Sequence, residues 1–202
     1  MSRIITISRE FGSGGRELGK RLAKALGIPC YDHEIIEMIA KENGFNEDYV
    51  ANVGEKSIEA AYPLTIGHRF GMQPFQIMEQ PIRVAVAQRQ IIENFAKQGD
   101  CVIVGRCADY VLRDNPNMVT VFITADLADR IINVCKRRNC SAEEARKLIE
   151  DKESTRSSYY NYYSGKTWGA SASYDLCVNA SRLGAEGTKE FVADFIRRRM
   201  KR

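Results

Sequence analysis

Apolar residues change period several times along this chain, and each change marks an element. Ile4 to Ile7, in "RIITI", form a β-branched run bounded by polar residues, the pattern of a buried strand. After a glycine-rich stretch, "RELGKRLAKALG" carries Leu18, Leu22, Ala25 and Leu26 at helical spacing and stops at Gly27. "IPCYD" predicts a second short strand, and "HEIIEMIAKENG" a second helix ending at Gly44. Residues 45–80 keep no clean period and include "YPLTIGHRFGMQPF", which predicts an irregular insert. "PIRVAVAQRQIIENFAKQGD" opens on Pro81, suited to a first helical turn, and predicts a helix. "CVIVG" and "NMVTVFITA" are continuous apolar runs, as expected of strands covered on both faces. "DLADRIINVCKRRN" and "SAEEARKLIEDKESTRSSYYNYY" predict helices, the second opened by a capping box of Ser141 and Glu144. "YDLCVNAS" predicts the last strand and "GTKEFVADFIRRRMK" the last helix.

Apolar strands alternating with helices predict an α/β fold with a parallel sheet and right-handed crossovers, in one domain spanning residues 1–202. Ligands of such sheets bind beyond the carboxyl ends of the strands. That rule points to Ser8 to Glu17, Asp32, Gly105 to Cys107, Asp126 and Asn179.

Composition narrows the function less than the pattern does. A hydrophobic content of 44% and a charged content of 28% are ordinary for a soluble globular protein. A net charge of +4 suits an anionic small molecule as well as nucleic acid, and the basic end "FIRRRMKR" reads as a solvated helix tail, so no nucleic-acid partner is expected. The six cysteines form no Cys-x-x-Cys pair, and His33 and His68 lie far apart, so neither a zinc site nor a disulfide framework is suggested. No signal-like apolar region and no long apolar run occur, so the expectation is a cytoplasmic protein with reduced thiols and no membrane partner. An exposed face on the 45–80 insert offers a surface on which two subunits would pair, making a homodimer one expectation for assembly.

The stretch "ITISREFGSGGRELGKRLAKALG" carries the chemistry. The dinucleotide pattern G-x-G-x-x-G falls on Gly12 and Gly14 but meets Glu17 where it needs a third glycine. The mononucleotide pattern G-x-x-x-x-G-K-[ST] fits the geometry better. With Gly14 as its last glycine, Arg9 takes the place of the first glycine and Gly15 that of the lysine; shifted by one, with Gly15 last, Arg16 takes the place of the lysine and Glu17 that of the hydroxyl residue. In either case the backbone N–H groups of Gly12, Ser13, Gly14, Gly15, Arg16 and Glu17 are expected to cradle phosphates at a helix N-terminus, with Arg16 supplying the missing positive charge. Glu17, a hard oxygen donor, is the candidate ligand for Mg2+.

"ISREFGSGGRELGKRLA", "VIVGRCADYVL", "VFITADLADRI", "STRSSYYNYYSGKTWG" and "YDLCVNAS" together resemble the cytidylate kinase-like family of the P-loop nucleoside monophosphate kinases. The resemblance runs over nearly the whole chain. It implies a P-loop three-layer α/β/α sandwich with a mostly parallel five-stranded sheet, a helical lid over residues 141–168 and an acceptor-binding insert at 45–80. It also implies ATP and Mg2+ as cofactors, and a nucleoside monophosphate or similar small phosphate as acceptor. By the same resemblance Asp32, Arg83, Arg106 and Cys107 face the acceptor, and Arg130, Arg137, Arg138, Lys152 and Arg156 belong to the lid. Arg16, Arg106 and Arg156 would then neutralise the transferring phosphoryl group, as guanidinium forks suit phosphate. Tyr159, Tyr160, Tyr162 and Tyr163 either cover a base or pack the lid. Cys107 and Val104 stand where the family carries aspartates, and Met38 where it carries an arginine. Those departures leave the acceptor open and keep alive a second reading, a nucleotide-binding module of weak activity.

Overall fold

The computed structural model describes residues 2–53 and 74–199, with the backbone alone over 52–53 and 74–81. Five strands form one sheet: β1 (Ile4–Arg9), β2 (Cys30–Tyr31), β3 (Cys101–Val104), β4 (Met118–Thr124) and β5 (Leu176–Asn179). Their order is β2-β3-β1-β4-β5, and every neighbouring pair is parallel. Eight helices are described: α1 (Gly15–Leu26), α2 (Glu34–Asn43), α3 (Glu47–Val53), α4 (Pro74–Gln98), α5 (Ala108–Val111), α6 (Leu127–Arg138), α7 (Ala142–Ser164) and α8 (Ala180–Arg199).

Strand pleating divides the core into two halves. Ile5, Ile7, Val102 and Val104 point to one face, against Leu18 and Leu22 of α1 and Val192 and Ile196 of α8. Ile4, Cys101 and Ile103 point to the other, against Ile35 and Ile39 of α2 and Ile91, Ile92 and Phe95 of α4. This is the three-layer sandwich expected, with a fully parallel sheet. Helices α6 and α7 lie beyond the sheet's carboxyl edge and share a small core of Val134, Ala145 and Ile149, with Phe11 of the glycine loop packed on it.

Local chemistry sets the ends of these elements. Gly27 and Gly44 close α1 and α2 in the left-handed conformation. Ser141 and Glu144 form the expected reciprocal capping box at the start of α7. Three boundaries differ from the pattern. Helix α4 starts at Pro74, so Pro81 lies within it rather than opening it. Residues 47–53, expected to be irregular, form α3, held by an Asn46 side chain that accepts from the Asp48 and Tyr49 N–H groups. The middle of the insert, 54–73, and most of the face on which pairing was expected lie outside the described residues. The last helix begins at Ala180 instead of Gly187 and is broken at Gly184, whose φ of 65° and ψ of 177° are not helical. Among the described residues no helix is long and apolar enough to cross a membrane.

Candidate active site

The carboxyl ends of β1, β3 and β4 lie side by side, with Arg9 level with Ile123 and Ile7 level with Val104. The chain leaves β1 through Glu10, Phe11, Gly12, Ser13 and Gly14 and enters α1 at Gly15. Gly12 and Gly14 have φ of 85° and 83°, conformations that a residue with a β-carbon adopts at a cost. A β-carbon on Gly12 would also come within 2.9 Å of the Arg130 carbonyl oxygen. The loop is stitched down from within and from α6: Ser13 Oγ donates to the Glu10 carbonyl at 2.9 Å, and Asn133 Nδ2 of α6 donates to the Gly12 carbonyl at 3.0 Å.

Two cavities flank this loop. The first, of about 220 Å³, is lined by Arg9, Arg16, Arg106, Arg137, Arg138 and Arg156, with Glu10, Glu17 and Asp32 as its carboxylates. Six guanidinium groups around one hollow make a strongly cationic site, shaped for a polyanion. The second, of about 550 Å³, lies on the other side of the loop among α1, α6 and α8, with Leu18, Ile123, Ile132 and Ala180 among its walls. Gly12, Gly14, Glu17 and Arg137 belong to both cavities, so the loop is their common wall.

The arginines fall into distinct roles. Arg106 follows β3 with a φ of 59°, and Cys107 with 51°, a left-handed pair of residues. The turn aims Arg106 into the first cavity, where its Nη1 is buried without a hydrogen-bond partner among the described residues. A buried guanidinium nitrogen left unpaired is costly unless an anion satisfies it. Arg156 of α7 reaches the same cavity, its guanidinium over the Phe11 ring at 5.4 Å and its Nη1 donating to the Arg9 carbonyl at 3.4 Å. Arg16 is paired with Asp32 across the hollow and is half exposed.

Arg130 is used differently. Its side chain is 6% exposed and bridges Glu10 at 3.1 Å and Glu153 of α7, while its Nε donates to the Phe11 carbonyl at 3.0 Å. It braces the loop against α6 and α7 and does not line the cationic cavity, unlike Arg137 and Arg138. Lys152, one turn before Arg156, does not line it either. Arg83 lies exposed on α4 with its guanidinium 5.4 Å from the Phe45 ring centre, also outside that lining. Of the residues expected to meet a ligand, the structure therefore gathers Gly12, Gly14, Gly15, Arg16, Glu17, Asp32, Arg106, Arg137, Arg138 and Arg156 at the first cavity.

Cys107 is buried beneath the aromatic cluster of Tyr159, Tyr160, Tyr174 and Phe122. Burial, with the Asp109 carboxylate second, pushes its thiol pKa well up, so it is a neutral packing group. Tyr159 accepts at 2.8 Å from Gln88 Nε2, which also donates to the Arg106 carbonyl at 3.2 Å. Tyr160 donates to Asp109 at 2.7 Å. These two tyrosines pack the base of α7 onto the sheet, and of the two roles open to them the structure shows packing.

The larger cavity is the part that sequence reasoning missed. Its walls include Asp129, Asn133, Lys136, Ser181, Gly184, Ala185 and Thr188, none of which matches a glycine-loop pattern. One signal was available: Gly184 in "SRLGAEG" interrupts an otherwise helical stretch. As for metal, no group of three or more His, Cys, Asp or Glu side chains gathers among the described residues. Mg2+ in phosphate-transfer sites needs only one or two carboxylates beside phosphate oxygens and water, and Glu17 and Asp32 at the cavity wall fit that donor set.

A glycine loop between a central parallel strand and the first helix, arginines at the carboxyl edge and an α6–α7 hairpin over it define a P-loop kinase fold. Solved structures agree: a shikimate kinase from Bacteroides thetaiotaomicron superposes with a TM-score of 0.55 at 15% identity, covering 98% of this chain and 99% of that one. The chain belongs to the cytidylate kinase-like family, whose model matches residues 4–182. It is 31% identical over 199 residues to the cytidylate kinase of Methanocaldococcus jannaschii, covering 96% of this chain and 97% of that one. It is 30% identical over 186 residues to the cytidylate kinase of Pyrococcus horikoshii, covering 91% and 83%. A protein from Eubacterium ventriosum superposes with a TM-score of 0.72 at 27% identity, over 96% of this chain and 98% of that one.

Proposed function

We propose that this protein transfers the γ-phosphate of ATP to a nucleoside monophosphate or a similar small phosphate acceptor. The observation that carries this reading is the pair of cavities sharing the glycine loop as a wall. The roomier one, with apolar walls beside α8, suits the base and ribose of the donor. The cationic one suits the acceptor phosphate and the transferring group. Phosphoryl transfer asks little covalent chemistry of a protein, only alignment and charge neutralisation. The loop N–H groups would hold the donor phosphates, Arg106 and Arg156 the acceptor side, and Arg137 and Arg138 the charge that spreads between them. Glu17 would hold Mg2+, which would supply positive charge against the mutual repulsion of the phosphates.

Acceptor choice follows from phosphate more than from base at Cys107. A neutral thiol under Tyr159 is a poor acceptor for an amino N–H group, so this position does not select cytosine as a carboxylate would. The same feature, with Arg16 held by Asp32, favours the second reading, a nucleotide-binding module of low turnover.

Transfer of labelled γ-phosphate from ATP–Mg2+ across a panel of nucleoside monophosphates separates the two. Transfer to a defined acceptor, lost in Arg106→Ala, is the expected result. ATP binding without transfer to any acceptor would overturn the kinase reading in favour of the binding module.

A further inference from the structure

In this glycine loop the residue that stands at the lysine position and the one at the first-glycine position touch. With Gly14 as the last glycine of the mononucleotide pattern, the chain has Arg9 where glycine belongs and Gly15 where lysine belongs. A β-carbon on Gly15 would stand 2.6 Å from Arg9 Cβ and 3.1 Å from its Cγ. Carbon atoms pack at roughly 3.5–4.0 Å, so a side chain at 15 and the stem of Arg9 exclude each other. The other end of Arg9 lies close over Gly105. A β-carbon on Gly105, where φ is +75°, would collide with the Arg9 guanidinium.

The stem of Arg9 thus lies against the first residue of α1 and its guanidinium over the turn after β3. It lines both the cationic cavity and the small aromatic pocket next to it, and in both it is joined by Arg106 and Arg156. The unpartnered Arg106 Nη1 at the same cavity independently marks it as a place for an anion. Arg16, the nearer candidate by sequence, is instead held by Asp32 and half exposed.

We propose that the loop's cation has been exchanged end for end: Arg9 supplies the charge that a lysine at position 15 would supply, and Gly15 is a glycine because the stem of Arg9 occupies its side-chain space. Resting on the kinase reading, this makes Arg9 a residue that binds the donor's terminal phosphates. Its fork offers two donors in one plane, which a lysine ammonium on α1 would not match.

Four proteins decide the matter: the unaltered chain, Arg9→Ala, Arg16→Ala, and the exchange variant Arg9→Gly with Gly15→Lys. Each is titrated calorimetrically with ATP–Mg2+ and with adenosine, which keeps the base and lacks the phosphates. Arg9→Ala is expected to weaken ATP binding roughly ten- to hundredfold, the effect of one charge-assisted hydrogen-bonded contact, with adenosine unchanged. The exchange variant is expected to regain most of that affinity, and Arg16→Ala to lose less than Arg9→Ala. ATP binding unchanged in Arg9→Ala would overturn the proposal. So would an exchange variant that folds but binds ATP no better than Arg9→Ala. If Arg9→Ala does not fold, the exchange variant is compared with the unaltered chain: ATP affinity within about tenfold of it supports the proposal, and a loss of about a hundredfold or more overturns it. Tight ATP binding with these differences but no phosphate transfer would refute the kinase reading and leave the Arg9 assignment standing. An unaltered chain that bound no ATP would overturn both.

Discussion

Replacing Arg130 with alanine should cost stability on a scale set by its three links. The substitution removes the ion pairs to Glu10 and Glu153 and the hydrogen bond to the Phe11 carbonyl from a side chain that is 6% exposed. Removing one partner of a buried ion pair typically costs about 3–5 kcal/mol, because the remaining charge is stranded. Two observations favour the lower end of that range. The stranded carboxylates keep 23% and 24% exposure, so water screens them in part. Glu10 also keeps hydrogen bonds from the Thr124 hydroxyl and, at 3.0 Å, the Ala125 N–H. About 3 kcal/mol corresponds to a fall in Tm of roughly 6–12 °C for a chain of this size, at about 2–4 °C per kcal/mol. Differential scanning calorimetry measures it directly. The triple variant Arg130→Met, Glu10→Gln, Glu153→Gln removes all three charges together and should recover most of the loss. A single Arg130→Ala variant that melts within about 2 °C of the unaltered protein would refute the bracing role.

Arg106→Ala should behave in the opposite way, holding or raising Tm because it removes a buried nitrogen without a partner, while phosphate transfer falls about a hundredfold or more. Asp109→Asn tests the buried carboxyl beneath α7. Burial raises its pKa above the ordinary 3.8, so the folded chain takes up its proton more readily than the unfolded one, and the ionised group lowers stability as pH rises through the folded value. The asparagine variant should therefore melt higher than the unaltered protein at pH 7, with the difference vanishing toward pH 3.8 and below; a difference independent of pH would count against it. Ser141→Ala removes the α7 capping box and should cost about 1 kcal/mol in a denaturant titration, with no change in ATP affinity. Saturating ATP–Mg2+ at about 100 times its Kd should stabilise the fold by about 2.7 kcal/mol in a thermal-shift titration.

Where local pattern and tertiary packing agree, the sequence was a sufficient guide. The β-branched runs at Ile4 and Cys101 could only be strands covered on both sides, and Ser141 with Glu144 marked the start of α7 to the residue. The cationic site was legible in outline because strand ends in a parallel sheet meet at one edge. The failures have a common cause. Arg130, Arg137 and Arg138 follow one another on α6 with similar chemistry, yet only packing against Glu10 and Glu153 separates the brace from the cavity wall. Cys107 reads as a ligand-facing position until Tyr159, far along the chain, covers it. Arg9 sits at the end of a strand with nothing local to say where its side chain goes, and the bare Cα atoms of Gly15 and Gly105 reveal it. Each of these turns on a partner distant in sequence, which no local period encodes.

Helix α7 is held at three places along its length, through Ala145 and Ile149 to α6, through Glu153 to the Arg130 brace, and through Tyr159 and Tyr160 to the sheet. That has a consequence in time as well as in shape. A free helical flap fluctuates in nanoseconds to microseconds, whereas a helix fastened this way moves only with the loop it is fastened to, or by breaking a buried ion pair first. The amide hydrogens of residues 145–160 should then exchange with solvent as slowly as those of the central strands, while the unpaired N–H groups of the first turn exchange faster. Ligand entry and departure would be paced by opening of this hairpin, on the scale of microseconds to milliseconds, rather than by diffusion to the mouth of the cavity.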